Sequence, residues 1–160
     1  MSFLRYLMLL ALIVWLGGII YFSFVVAPTV FSVLPTRHLA GNVVARSLTA
    51  LHWMGIVSGL VFLICSMILT RVGTRAAEPL AVRHILVYLM LALTAISQFV
   101  IFPKMIAIRN SMGEIDSIPL TDPARVLFDS LHVWSTRLEV GVFVLGLALV
   151  FLVAQAIRPQ

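Results

Sequence analysis

Ser47–Thr70 reads SLTALHWMGIVSGLVFLICSMILT, 24 residues without an Asp, Glu, Lys or Arg. A helix that crosses a bilayer needs about 20 consecutive, mainly apolar residues. In lipid, its own helix is the partner available to a lone segment's backbone. The stretch therefore predicts a transmembrane helix. Three further charge-free runs surround it: Tyr6–Thr36, His84–Pro103 and Val140–Ile157. The last is the shortest, and Ser130–Glu139 extends it upstream. The fold class that follows is all-α, a polytopic membrane protein built as a four-transmembrane-helix bundle. Its helices fall at about 4–27, 49–70, 84–102 and 130–157 within a single domain over 1–160.

Composition agrees. Apolar residues make up 62% and charged residues 11%, against about a quarter charged in a soluble domain. Too little chain remains outside the lipid for a soluble catalytic domain. The net charge of +5 reflects few acids. Clustered Lys/Arg with exposed aromatics are absent, so nucleic acid is not an expected partner; the basic residues read as membrane-flanking anchors. The single cysteine, Cys65, excludes an internal disulfide and any multi-Cys metal site, and reads as a buried packing thiol. The first run exceeds the 7–15 residues of a signal-peptide core and is expected to be a retained helix. No nucleophile elbow, HExxH, phosphate loop or dinucleotide fingerprint occurs, which disfavours an enzyme.

Prolines and polar clusters set the boundaries. Pro28 removes a backbone donor and crowds the preceding turn, so the first helix kinks or ends there. Residues 35–38 form the expected loop. A short connection over 71–83 carries Glu78 and Pro79, and the longest polar loop, 110–123, carries Glu114, Asp116 and Asp122. Asp122-Pro123 is a helix start, with Asp as N-cap and Pro at the first helical position. The halves resemble one another. Each has a helix ending at proline (Pro28, Pro103), a loop, then Leu-His and a nearby Trp (Leu51-His52-Trp53, Leu131-His132-Val133-Trp134). This pattern is that of a possible parallel two-helix repeat.

Lys and Arg divide five against six between the two sides, with Arg5, Arg71, Arg75, Arg83 and Arg158 on the side of the termini. The short, basic 71–83 connection is where the positive-inside rule acts most strongly. It places both termini in the cytoplasm, of a bacterial inner membrane.

Polar residues at membrane depth are functional hypotheses by default. Levelled on the arginines of the terminus side, at about 1.5 Å per residue, His52, Lys104, Arg137 and Glu139 share one layer. That layer lies roughly 30 Å away, at the far edge of the hydrocarbon. Two readings compete. In one, Glu139 and His52 are proton or metal partners at the far mouth of the bundle. In the other, Lys104 and Arg137 snorkel to headgroups and Glu139 forms a structural ion pair. Asp129, His132, Thr136 and Glu139 share a helix face, where Asp129 either orients His132 as a ligand or belongs to a solvated polar stripe. Gln98 is a deep amide expected in an interhelical hydrogen bond, and His84 beside Arg83 is expected at the membrane interface. Gly55/Gly59 and Gly17/Gly18 are small-residue faces that let another helix approach, including one from a partner subunit.

Trp15-Leu-Gly-Gly18, Val26-Ala-Pro28-Thr-Val-Phe31 and Gly41-Asn-Val-Val-Ala, with Phe128-x-x-x-His132-x-x-Ser135 further on, resemble the domain-of-unknown-function 4149 family, which includes transmembrane-protein-205-like proteins. The resemblance implies a four-helix membrane fold distantly similar to the membrane part of copper resistance protein D, and no established activity. It points to Trp15, Gly18, Pro28, Phe31, His132 and Ser135. Three roles follow for the chain in its lipid bilayer. The first is binding or passing a transition metal (copper, on His52 and His132) or a small solute at one membrane face. The second is service as an accessory subunit of a larger membrane complex, and the third is b-type haem redox chemistry.

Overall fold

Long apolar helices with few polar interruptions can satisfy their backbone only by continuing, and they do. The computed structural model describes residues 2–74, 81–113 and 117–157. Arg75, Glu78, Pro79, Glu114, Asp116 and Arg158 of the sequence reading lie outside the described residues. The helices are α1 (Ser2–Tyr21), a π-helical turn (Phe22–Val26), α2 (Ala27–Val33), α3 (Arg37–Thr74), α4 (Val82–Ile96), a second π turn (Ser97–Ile101), α5 (Phe102–Met112) and α6 (Pro123–Ile157). Among the described residues there is no strand. Joined end to end, they make four spans long and apolar enough to cross a membrane: Ser2–Val33, Arg37–Val72, Val82–Met112 and Pro123–Gln155. The protein is a four-helix membrane bundle.

The helices are longer than the apolar runs that announced them. The second begins at Arg37 rather than near residue 49, and the expected 35–38 loop shrinks. The Thr36 hydroxyl accepts the Leu39 N–H at 3.2 Å, an N-cap that starts the helix one residue later. Asp122 caps α6 as the sequence implied, its Oδ1 accepting the N–H of Ala124 at 2.8 Å and of Arg125 at 3.3 Å. Pro28 and Pro103 neither end nor break their helices. Each follows a π turn, in which the Ala27 N–H reaches back to the Phe22 carbonyl and the Phe102 N–H to that of Ser97. Widening the helix ahead of the ring relieves its collision with the preceding turn.

Trp15 cements the first two spans. It is 2% exposed, and its indole lies where side chains on Gly55 and Gly59 would stand. Gly18 is likewise covered by Met54 and Leu51, and Gly59 also by Leu91. The Gly55/Gly59 and Gly18 faces are thus filled by the chain's own helices, not left for a partner subunit; Gly17 faces open space. The core of Phe62, Val87, Met90, Val142 and Leu149, each at most 1% exposed, closes the half of the bundle near the termini. Exposed Ile13, Phe24, Ile64, Phe99 and Phe151 belong to the outer surface that contacts the bilayer. Cys65 is a buried free thiol.

His84, two residues into its span, points into the bundle. It is fully buried and shares a 2.8 Å hydrogen bond with the Ser66 hydroxyl. It falls on the inward stripe that continues through Val87 and Met90.

Candidate functional site

Three helices bring one polar side chain each to a common point. His52 of α3 is 1% exposed. Its Nδ1 lies 2.8 Å from Gln98 Oε1, in the second π turn, and its Nε2 lies 2.6 Å from Glu139 Oε1, in α6. Both ring nitrogens are thus engaged, Nδ1 with the amide oxygen and Nε2 with the carboxylate. The Phe102 ring packs edge-on against the imidazole at 5.9 Å. Glu139 is 18% exposed and is the member through which the trio meets the outside.

The shared layer read from the sequence separates accordingly. His52 and Glu139 turn inward and meet. Lys104 and Arg137 are exposed on the outer surface, and the Arg137 guanidinium rests over the Trp134 ring at 5.2 Å. The layer sits nearer the middle of the helices than the sequence implied. Gln98 precedes Met112 by 14 residues, His52 follows Arg37 by 15 and Glu139 follows Pro123 by 16. The helices therefore project past it by roughly 20 Å.

That projection encloses a cavity of about 400 Å³. Glu139 and Phe102 lie at its inner end. Phe22, Ala27 and Phe31 of the first span, Leu48 of α3 and Phe128 of α6 give it apolar walls. Arg37, His38, Arg109, Arg125, Asp129 and His132 give it polar ones. Ser135, 4% exposed, also lines it. Several residues singled out by the sequence resemblance, Phe31, His132 and Ser135, thus reach one cavity. Trp15 and Gly18 pack helices elsewhere, and Pro28 follows the π turn next to the cavity-lining Ala27.

Asp129 does not orient His132. Its Oδ2 accepts from Arg125 Nε at 3.2 Å, an i,i+4 pair on the helix surface, and the Thr136 hydroxyl donates to the His132 carbonyl. The His132 imidazole is exposed and has no hydrogen-bond partner among the described residues. Both ring nitrogens of His52 are engaged by Gln98 and Glu139, and His132 stands apart from it on the cavity wall. Among the described residues, no group of three or more His, Cys, Asp or Glu is placed to hold a metal ion.

The sequence reading misses one participant and one pairing. Gln98 was expected to make an interhelical hydrogen bond, with no hint that its partner was His52. Arg109 was counted as a membrane anchor. It donates from Nη1 to the Gly41 carbonyl at 2.8 Å and lies over the Phe128 ring at 5.2 Å. The motif glycine Gly41 was the available signal for its position.

Residues 10–114 match the family model described as Domain of unknown function (DUF4149). No curated protein and no solved structure matches the chain. The matched residues include Trp15, Gly18, Pro28, Phe31, His52, Gln98 and Arg109, and stop before His132, Ser135 and Glu139. On that match, over more than half of its length, the chain belongs to the family of the domain of unknown function DUF4149.

Proposed function

We propose that this membrane protein binds a small amphipathic solute in the cavity between its helix ends, and exchanges a proton there through the Glu139–His52 pair. One observation carries the reading. Glu139 opens onto the cavity while sharing a 2.6 Å hydrogen bond with a wholly buried histidine. Apolar walls with a few converging polar groups are the usual make-up of a small-molecule site, and a buried His–carboxylate pair is a usual means of taking up or releasing a proton. Of the metal and solute alternatives read from the sequence, the ligand inventory favours the solute. The motif likeness to transmembrane-protein-205-like proteins and to copper resistance protein D belongs to the same proposal, with Phe31 and the Ala27 beside Pro28 lining this cavity. Termini in the cytoplasm of a bacterial inner membrane, as the short basic connection implies, direct the cavity to the outer side.

The test uses the full chain in phosphatidylcholine nanodiscs, with 1-decanol as probe and protein-free nanodiscs as blank. Calorimetric titration is run in two buffers of different ionisation enthalpy. Wild type is expected to bind, with a heat that depends on the buffer because a proton moves. Ala27→Phe, which fills the cavity wall, is expected to abolish binding. Glu139→Gln is expected to bind with buffer-independent heat. Binding indifferent to Ala27→Phe, or buffer-independent heat in wild type, refutes the proposal.

A further inference from the structure

Arg109 stands in the cavity wall with its charge unmatched. The two cavity carboxylates are already engaged, Asp129 by Arg125 and Glu139 by His52. Among the described residues, no carboxylate lies within ion-pair distance of Arg109. Its hydrogen bond there is the one to the Gly41 carbonyl, and its other close support is the Phe128 ring. Both are weak substitutes for an anion. Arg109 is half-buried, and a charge partly withdrawn from water gains from a paired anion.

The position of Arg109 is built rather than incidental. A Cβ on Gly41 would stand 3.1 Å from Cζ and 3.2 Å from Nη2. The absence of a side chain there is what lets the guanidinium lie flat on α3. The carbonyl on one side and the ring on the other hold the fork still, with four of its five N–H groups left to donate. A rigid guanidinium fork matches the two oxygens of a carboxylate or phosphate. Apolar Phe22, Phe31, Leu48, Phe102 and Phe128 surround the remaining space.

Building on the proposed solute site, we infer that its ligand is an amphipathic oxyanion. Its charged head sits on Arg109 and its apolar body lies against the phenylalanine walls. Such a head could belong to a free amphipathic carboxylate or to an anionic lipid reaching in from the bilayer.

Decanoate is the probe and 1-decanol its uncharged counterpart, both titrated into the full chain in phosphatidylcholine nanodiscs. A hydrogen bond to a charged group contributes about 1.5–3 kcal/mol, so decanoate should bind at least about ten-fold more tightly than decanol. Arg109→Gln should erase that preference. Gly41→Ala should reduce it while the charge count stays the same, which covers the case of a misfolded Arg109 variant. Repeating the titration with phosphatidylglycerol in the nanodisc identifies the source. Competition with decanoate in wild type, lost in Arg109→Gln, assigns the head to a lipid; no competition assigns it to a free anion. Decanoate binding no tighter than decanol, or a preference that survives both variants, overturns the inference. If decanol still binds and Ala27→Phe still blocks it, the solute cavity stands and only its anion preference fails. If neither probe binds, both readings fall.

Discussion

Removing one member of the His52–Glu139 pair should cost far more than removing both. The atoms are 2.6 Å apart and the imidazole is 1% exposed. At an effective dielectric of about 20, Coulomb attraction at that distance is roughly 6 kcal/mol when both groups are charged. Desolvation offsets much of this, but the offset has already been incurred in the folded state. Truncating one partner leaves the other buried and unmatched, a loss of about 3–5 kcal/mol. His52→Leu and Glu139→Leu should each lose that much. The double variant leaves only the Gln98 amide without its partner and should lose about 1–3 kcal/mol. Glu139→Gln keeps a hydrogen-bonding group and should lose no more than about 1.5 kcal/mol. Reversible unfolding of the full chain in mixed micelles, titrated with an anionic detergent and followed by tryptophan fluorescence, measures all four. Strictly additive losses in the double variant would refute the geometry, because they would mean that the two side chains do not interact.

Glycines at the two sides of the first helix contact should respond oppositely. Gly59→Ala sets a Cβ 2.8 Å from the Trp15 ring and 2.7 Å from Leu91 Cδ2 and should destabilise by about 1–3 kcal/mol through overpacking. Gly17→Ala meets nothing within 4 Å and should stabilise by about 0.5–1 kcal/mol through helix propensity; thermal unfolding of the two variants side by side checks the signs. Ser97 is fully buried with a hydroxyl that finds no hydrogen-bond partner among the described residues, so Ser97→Ala should raise the melting temperature, by an amount equivalent to about 1–3 kcal/mol. A lowered melting temperature would show that the hydroxyl is engaged after all. Asp122→Ala removes the acceptor for two N–H groups at the start of α6 and should cost about 1 kcal/mol, read as faster amide exchange in the first turn of that helix.

The spans were legible because their cause is local. A run such as Ser47–Thr70 has no soluble way to satisfy its backbone, and no tertiary detail is needed to see this. Helix ends were less legible, since Asn42 and Arg46 stand between apolar residues and hydropathy alone leaves that stretch open to loop or helix. They are helical because the Thr36 hydroxyl supplies a cap that starts the turn well before them. Levelling helices by residue count brought His52 and Glu139 to one height, as the structure has them, because rise per residue is nearly constant. It said nothing about rotation about the helix axis. For that reason Lys104 and Arg137 joined the same layer and now face outward, while Gln98 was not associated with His52. Arg109 was illegible because its role depends on a missing atom, the Cβ of Gly41, on a different helix.

Rotation is also what the first π turn changes. In the first span the buried stripe runs through Met8, Leu12, Trp15 and Ile19. Continued at α-helical spacing through Phe22, it would next present Val26 and Val30 to the interior. The cavity instead receives Phe22, Ala27 and Phe31. The shift by one residue is the insertion that the Phe22–Val26 turn provides. The third span shows no such shift: its stripe through Val87, Met90 and Thr94 runs on through Gln98 to Phe102, Met105 and Arg109 at ordinary α-helical spacing, and Ile101 beside Phe102 is buried as well. In the first span the added residue rotates the downstream helix by about 100° relative to the upstream part. One half of that span can then pack a dry core, while the other half turns a different set of side chains to the cavity. Pro28 favours this phase, since its ring is most easily accommodated where the helix is already widened. The first span therefore contains two packing registers along one helix.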